Sequence, residues 1–133
     1  MSRIALDSNI LIYNHSLEHE DKRRIAGNFF RENPVVSSQV ISEYLNVMKR
    51  NFKLQKLELI QICSLWLEKC HVQPVILSTI KLAHYLINKY GLQMFDSIII
   101  SAAMEADCDI LFSEDMQNGQ VIENMLTITN PFI

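Results

Sequence analysis

The chain has 133 residues, 49% of them hydrophobic and 20% charged, with a formal net charge of −3. That length suits one domain, and that balance suits a packed core rather than a disordered chain. No apolar run reaches membrane-spanning length and Asp7 interrupts the N-terminal apolar stretch, so neither a membrane span nor a signal peptide is expected and the protein is placed in the cytoplasm.

Arg3 to Asp7 reads as a short buried strand, with Ile4 and Leu6 set against Ala5 and Asp7. Asp7-Ser8-Asn9 offers capping side chains for a helix through Ile10-Leu11-Ile12-Tyr13. Asp7 then stands at the carboxyl end of the first strand, the edge where open α/β sheets bind ligands. Its plain alternative is an N-cap Asp. Glu18 to Asn33 is a helix with Ile25, Phe29 and Phe30 as its apolar set, stopped by Asn33-Pro34. Its Lys22-Arg23-Arg24 run faces solvent or a phosphate backbone. Pro34 to Ser37 is a second strand, and Ser37 or Ser38 caps the next helix, about Gln39 to Asn51. There Val40, Glu43 and Val47 share a face by their spacing, which sets Glu43 against a hydrophobic stripe. A lone buried carboxylate ends up protonated, paired with a base such as Arg, or on a metal. Lys49-Arg50-Asn51-Phe52-Lys53 closes the helix as a basic rim, suited to phosphate or to the helix C-terminus itself.

Leu54 to Cys70 is a long amphipathic helix in which Trp66 belongs to the core or a dimer surface. Val72 to Leu77 is a third strand, and Pro74 argues for an edge position. Ser78-Thr79 caps a helix through Tyr90, ended by Gly91. His84, like His15, His19 and His71, has no second His at metal spacing and reads as structural. Ser97 to Ala106 is apolar on nearly every face, so that helix is buried, with Asp96 in its first turn favoured by the helix dipole. Asp109 to Ser113 is the fourth strand, Ser113-Glu114-Asp115 leaves its carboxyl end, Asn118-Gly119 turns, and Leu126 to Thr129 is a final short strand. Cys63, Cys70 and Cys108 contain no CxxC and read as thiols in or near the core, not as a disulfide or zinc framework.

Alternating strands and helices imply a parallel sheet covered on both faces, with right-handed crossovers. Charge is distributed unevenly along it. All 12 Lys and Arg lie between Arg3 and Lys89 against 8 acids, whereas Tyr90 to Ile133 holds 7 acids and no Lys or Arg. Asp7 and Asp115 fall on one edge of the sheet, and Glu43 and Asp96 lie on helices that can reach it. Carboxylates gathered in one pocket repel one another, and a hard cation with oxygen ligands relieves this. Such an ion activates water and neutralises charge in phosphodiester cleavage.

Four segments carry a resemblance. Asp7-Ser8-Asn9-Ile10-Leu11-Ile12-Tyr13, Glu43 within Val40-Ile41-Ser42-Glu43-Tyr44, Phe95-Asp96-Ser97-Ile98-Ile99 and Ser113-Glu114-Asp115-Met116-Gln117 are similar, in order and spacing, to PIN-domain proteins. They most resemble VapC-like toxins of bacterial toxin–antitoxin pairs. The resemblance spans nearly the whole chain. It implies a single α/β PIN-like domain over residues 1–133, with a parallel five-stranded sheet flanked by helices on both faces. It implies a Mg²⁺- or Mn²⁺-dependent endoribonuclease whose acidic quartet is Asp7, Glu43, Asp96 and Asp115. Asp7 and Asp96 match the positions most associated with metal, Asp115 the variable last acid that joins them, and Glu43 the helical Glu that orients or deprotonates the attacking water. Asn9 and Ser113 match polar positions that orient the acids, while Glu114 has no assigned role. Lys22, Arg23, Arg24, Lys49, Arg50 and Lys53 are the candidates for RNA backbone contacts. A homodimer and a small antitoxin partner are also implied.

Two other classes stay open. One is a non-catalytic PIN-like module that binds RNA or serves as a scaffold. The other is a Mg²⁺-dependent phosphatase, which the absence of a second Asp two places after Asp7, and of any Lys after Lys89, argues against.

Overall fold

Strand β1 (Ile4–Leu6) is buried along its whole length, as a central parallel strand covered on both faces must be. In the computed structural model, which describes residues 2–133, it pairs in parallel with β2 (Val35–Ser37). Beyond β2 lies β3 (His71–Gln73), also parallel. On its other side β1 pairs with β4 (Ile110–Phe112). The two-residue β5 (Val121–Ile122) and β6 (Leu126–Thr129) form an antiparallel pair, of which β6 joins β4 in parallel. The order is β3-β2-β1-β4-β6-β5. Five strands are therefore parallel, as expected, and a sixth is added at the edge. β5 is too short for periodicity to reveal.

Helix α1 (Ser8–Tyr13) starts where Asp7, in extended backbone, accepts the Ser8 N–H. Helix α2 (Glu20–Phe29) runs into a 3-10 turn at Phe30–Glu32, and Asn33 turns the chain through a left-handed φ of +49° into Pro34. Helix α3 (Ser38–Phe52) is capped by the Ser37 hydroxyl on the Val40 N–H. Helix α4 (Lys56–Leu67) follows, then α5 (Leu77–Tyr90), which stops at Gly91 with φ +68°, a conformation that costs glycine nothing. Helix α6 (Met94–Glu105) has eight consecutive buried residues, Ser97 through Met104, in line with its all-round apolar sequence. Among the described residues no helix is long and apolar enough to cross a membrane.

Two boundaries differ from expectation around Pro74. β3 does occupy the sheet edge, but it ends at Gln73 rather than Leu77, because a proline lacks the N–H a further ladder bond requires. The next helix therefore begins at Leu77, and Thr79 acts from inside its first turn, its hydroxyl accepting the Ile76 N–H at 3.1 Å.

The sheet's strand sequence runs outward from β1 to β3, then returns past β1 to β4. With right-handed crossovers, this reversal sends α1–α4 to one face and α5–α6 to the other. The packing follows this: α1 lies against α2 and α3, α3 against α4, and α5 against α6, while α3 also meets α6. Phe29 stacks on Phe112 at 4.3 Å and seals α2 to β4. Tyr44 is fully buried, its hydroxyl 3.0 Å from His15 Nε2 and accepting the Trp66 indole N–H at 3.3 Å. Trp66 and His15, both partly buried, are thus tied to the core through Tyr44. Cys63 and Cys108 are buried, Cys70 is half-buried and all three are free, with burial pushing the Cys70 thiol up to about 12.

Candidate active site

The reversal of strand order at β1 makes the carboxyl ends of β1 and β4 a topological switch point, the place where open α/β sheets bind ligands. Asp7 leaves β1 there, and Ser113-Glu114-Asp115 leaves β4. The Asp7 N–H donates to the Phe112 carbonyl at 3.0 Å, so the two chain ends are joined one step past the strands.

Asp7 is only 5% exposed. One carboxylate oxygen accepts the Ser8 N–H at 2.7 Å, and the other accepts the Ser113 hydroxyl at 2.7 Å and the Asn9 amide at 3.4 Å. Burial pushes its carboxyl up to about 6, with the charges of Glu43 and Asp96 adding to the rise and the Ser113 and Ser8 hydrogen bonds opposing it. Asp96, half-buried in the first turn of α6, is also raised, by burial first and then by Glu43 and Asp115. Each of the four acids thus stands within electrostatic reach of at least one other.

Asn9 lies between the two strand ends. Its Nδ2 donates to Asp7 and to Asp115, at 3.4 and 3.2 Å, and its Oδ1 accepts the Glu114 N–H at 3.2 Å. Ser113, fully buried, donates to Asp7 while accepting the Met116 N–H at 3.2 Å. Asp115 itself is exposed.

Glu43 departs from its expected setting. The buried stripe of α3 is Val40, Tyr44 and Met48, and Glu43 stands beside it, partly exposed. Ser8 Oγ donates to one of its oxygens and Gln39 Nε2 to the other, each at 3.0 Å. Sequence reasoning treated Ser8 only as a capping residue and overlooked Gln39. The signal was available: Gln39 and Glu43 are four apart on one helix, the spacing at which side chains meet.

Glu114 is also placed. Lys22 Nζ and the Tyr13 hydroxyl each donate to it at 2.6 Å, and Lys22 sits over the rings of Tyr13 and Phe132 at 4.7 and 5.3 Å. Lys22 is therefore engaged by Glu114 beside the site. Arg23 and Arg24 make only loose pairs with Glu20 and Asp21 on the same helix, while Lys49, Arg50 and Lys53 are exposed at the end of α3.

The donor set is oxygen only. Among the described residues no Lys or Arg pairs with Asp7, Glu43, Asp96 or Asp115. Their own hydrogen-bond donors are neutral, so a hard divalent cation is the counter-charge this set lacks. Among the described residues no group of three or more His, Cys, Asp or Glu is gathered closely enough to hold a metal ion by itself. The all-oxygen donor set is of the kind that suits a hydrated ion such as Mg²⁺, which keeps several waters and takes one or two carboxylates plus substrate oxygens. A cleft of about 290 Å³ opens beside Asp96 and Asp115. A larger one, about 390 Å³, is lined by residues such as Tyr13, Leu17, His19 and Phe52 and holds none of the four acids, so the chemistry points to the smaller.

An acidic centre at the switch point of a mainly parallel sheet defines a class of α/β domain. The chain belongs to the PIN-domain family, whose model matches residues 4–119. Among solved structures, it is similar to a chain of a toxin–antitoxin complex from Klebsiella pneumoniae, at 19% identity and TM-score 0.70 over 98% of each chain. It is also similar to a chain of VapBC2 from Rickettsia felis bound to a DNA fragment from its promoter, at 17% identity and TM-score 0.66, covering 96% of this chain and 98% of that one. VapC20 of Mycobacterium tuberculosis, a sarcin–ricin-loop-cleaving toxin, matches at 11% identity and TM-score 0.63, covering 81% of this chain and 86% of that one. At such identities the likeness is one of fold. A search of curated proteins found no match.

Proposed function

We propose that this protein is a metal-dependent endoribonuclease, hydrolysing RNA phosphodiester bonds as the toxin of a toxin–antitoxin pair. One observation carries the reading: in a PIN fold, four carboxylates without basic partners converge on the switch point. Asp7, Asp96 and Asp115 are the residues that would hold Mg²⁺ or Mn²⁺. Bound there, the ion would neutralise charge on the scissile phosphate and make a water more acidic.

The chain's own groups supply the rest. Asp7 is largely ionised at neutral pH, since its carboxyl titrates near 6, and Ser113, Ser8 and Asn9 fix the direction of its oxygens. Glu43 is held at both oxygens by Ser8 and Gln39, which aims it as the acceptor for a proton from the attacking water. Asn9 sets Asp115 relative to Asp7. Lys49, Arg50 and Lys53, exposed on one helix end, serve the RNA backbone, with Arg23 and Arg24 as further contacts. The toxin–antitoxin complexes among the similar structures support an antitoxin partner; a homodimeric toxin acting in the cytoplasm completes the proposal.

The test is cleavage of a pool of cellular RNA in Mg²⁺, in Mn²⁺ and in EDTA, beside Asp7→Asn and Asp96→Asn. Metal-dependent cutting that both variants abolish establishes the reading. Cutting that survives in both variants refutes it, and a folded protein that cuts nothing under any condition points to a non-catalytic RNA-binding or scaffold module.

A further inference from the structure

The cleft beside Asp96 and Asp115 is lined by more than its two acids. Its polar groups are those two carboxylates and three glutamines, Gln93, Gln117 and Gln120, and no Lys or Arg contributes. Gln93 comes from the turn before α6, and Gln117 and Gln120 from the single loop between β4 and β5. Their backbone carbonyls are used by the fold, accepting from Ser97, Gln120 and Ile128 respectively. Their side-chain amides have no partner among the described residues. Apolar surface is supplied by the half-buried Leu92 and Met116, backed by the buried Ile100 and Ile128. Tyr90 forms part of the wall and is immobilised, since its hydroxyl donates to Glu123 and accepts the Glu123 N–H, each at 2.9 Å.

Resting on the nuclease reading, we propose that this cleft is a base-recognition subsite for one unpaired nucleotide adjoining the scissile phosphate. Asp96 and Asp115, with the cation they would hold, mark the end of the cleft that faces the scissile phosphate, and the rest of the lining carries no charge. A neutral, flat, hydrogen-bonding group is the complementary occupant. Primary amides carry both donors and an acceptor, which matches the mixed edges of nucleobases. Apolar and aromatic walls take the face of a splayed base, the way single-stranded RNA is read. The cleft, at about 290 Å³, stands at the lower end of ligand-pocket sizes, so it suits one nucleoside and not a longer segment.

Binding tests this apart from cleavage. Short single-stranded RNAs differing only in one base are titrated by fluorescence anisotropy against Asp7→Asn, with and without Gln93→Ala, Gln117→Ala and Gln120→Ala together. The expected result is a base preference that the triple change flattens, with the favoured RNA losing about tenfold in affinity, or one good hydrogen-bonded pair's worth. Equal affinity for every RNA in both proteins, or a preference that the triple change leaves intact, overturns the subsite. In parallel, the cut sites of the Gln variants in an otherwise native chain should show a weakened preference at the nucleotide beside the break. Failure of the nuclease reading has a different signature, the absence of metal-dependent cutting by the unaltered chain.

Discussion

Replacing Asp7 by Asn should make the metal-free protein more stable at pH 8 while abolishing its proposed activity. Asp7 ionises near 6 in the folded chain, against an ordinary 3.8, because burial disfavours its charge. Two units correspond to about 3 kcal/mol of strain in the ionised form. A raised pKa means the fold holds the proton more tightly than the unfolded chain does. Asp7's contribution to stability is thus fully present below 3.8 and is lost as pH rises through about 6. The amide removes the charge but also one acceptor, surrendering a hydrogen bond to Ser113 or Ser8 that contributes about 1 kcal/mol. A net gain of about 2 kcal/mol at pH 8 remains, on the order of 8 °C in Tm for a chain of this size. The assay is thermal denaturation of both proteins in EDTA from pH 8 down to pH 4. The gain should shrink through pH 6 and reverse sign near pH 4, where only the lost hydrogen bond is left. A variant less stable than the parent by the same amount at every pH would refute the claim that a buried charge strains this site.

Other outcomes follow from the same geometry. Added Mg²⁺ or Mn²⁺ should raise the melting temperature of the unaltered protein in a dose-dependent way, reversed by EDTA and absent in Asp96→Asn, as differential scanning fluorimetry would read. Asn9→Ala severs the link from Asp7 to Asp115 and Glu114, and by analogy with outer-shell changes at metal sites should lower cleavage about 10- to 100-fold in a steady-state rate assay with little loss of stability. Ser101 is buried and its hydroxyl has no partner among the described residues, so Ser101→Ala should be neutral or stabilising by about 1 kcal/mol in urea denaturation. Tyr44→Phe should go the other way, since His15 and Trp66 lose their shared partner in the core, and should cost about 1–3 kcal/mol.

Much of the architecture was legible because it depends on local pattern. The uniformly apolar Ser97–Met104 run could only be a buried helix, and Pro74 marked the strand before it as an edge strand. Asp7 could be placed after the first strand because its side chain caps α1 in the same few residues. Elements shorter than one period escaped: β5 has two residues, and nothing in Val121-Ile122 distinguishes it from a loop. Glu43 was set too deep because the burial of α3 follows Val40, Tyr44 and Met48, and which of two adjacent stripes faces inward depends on neighbouring helices, not on the helix itself.

The sequence by itself therefore determined the order of the five parallel strands and the helices between them, the caps of α1 and α3, and the four acids as candidates for one site. Only the tertiary structure decided how those acids are held. Ser113 reaches Asp7 across 106 residues, Lys22 reaches Glu114 across 92, and the three glutamines of the cleft come from two loops far apart in sequence. Spacing along a chain encodes contacts within one helix or strand, where geometry is periodic. Contacts between ends of different strands depend on sheet order and crossover hand, and so do the desolvation and charge that set the chemistry at Asp7.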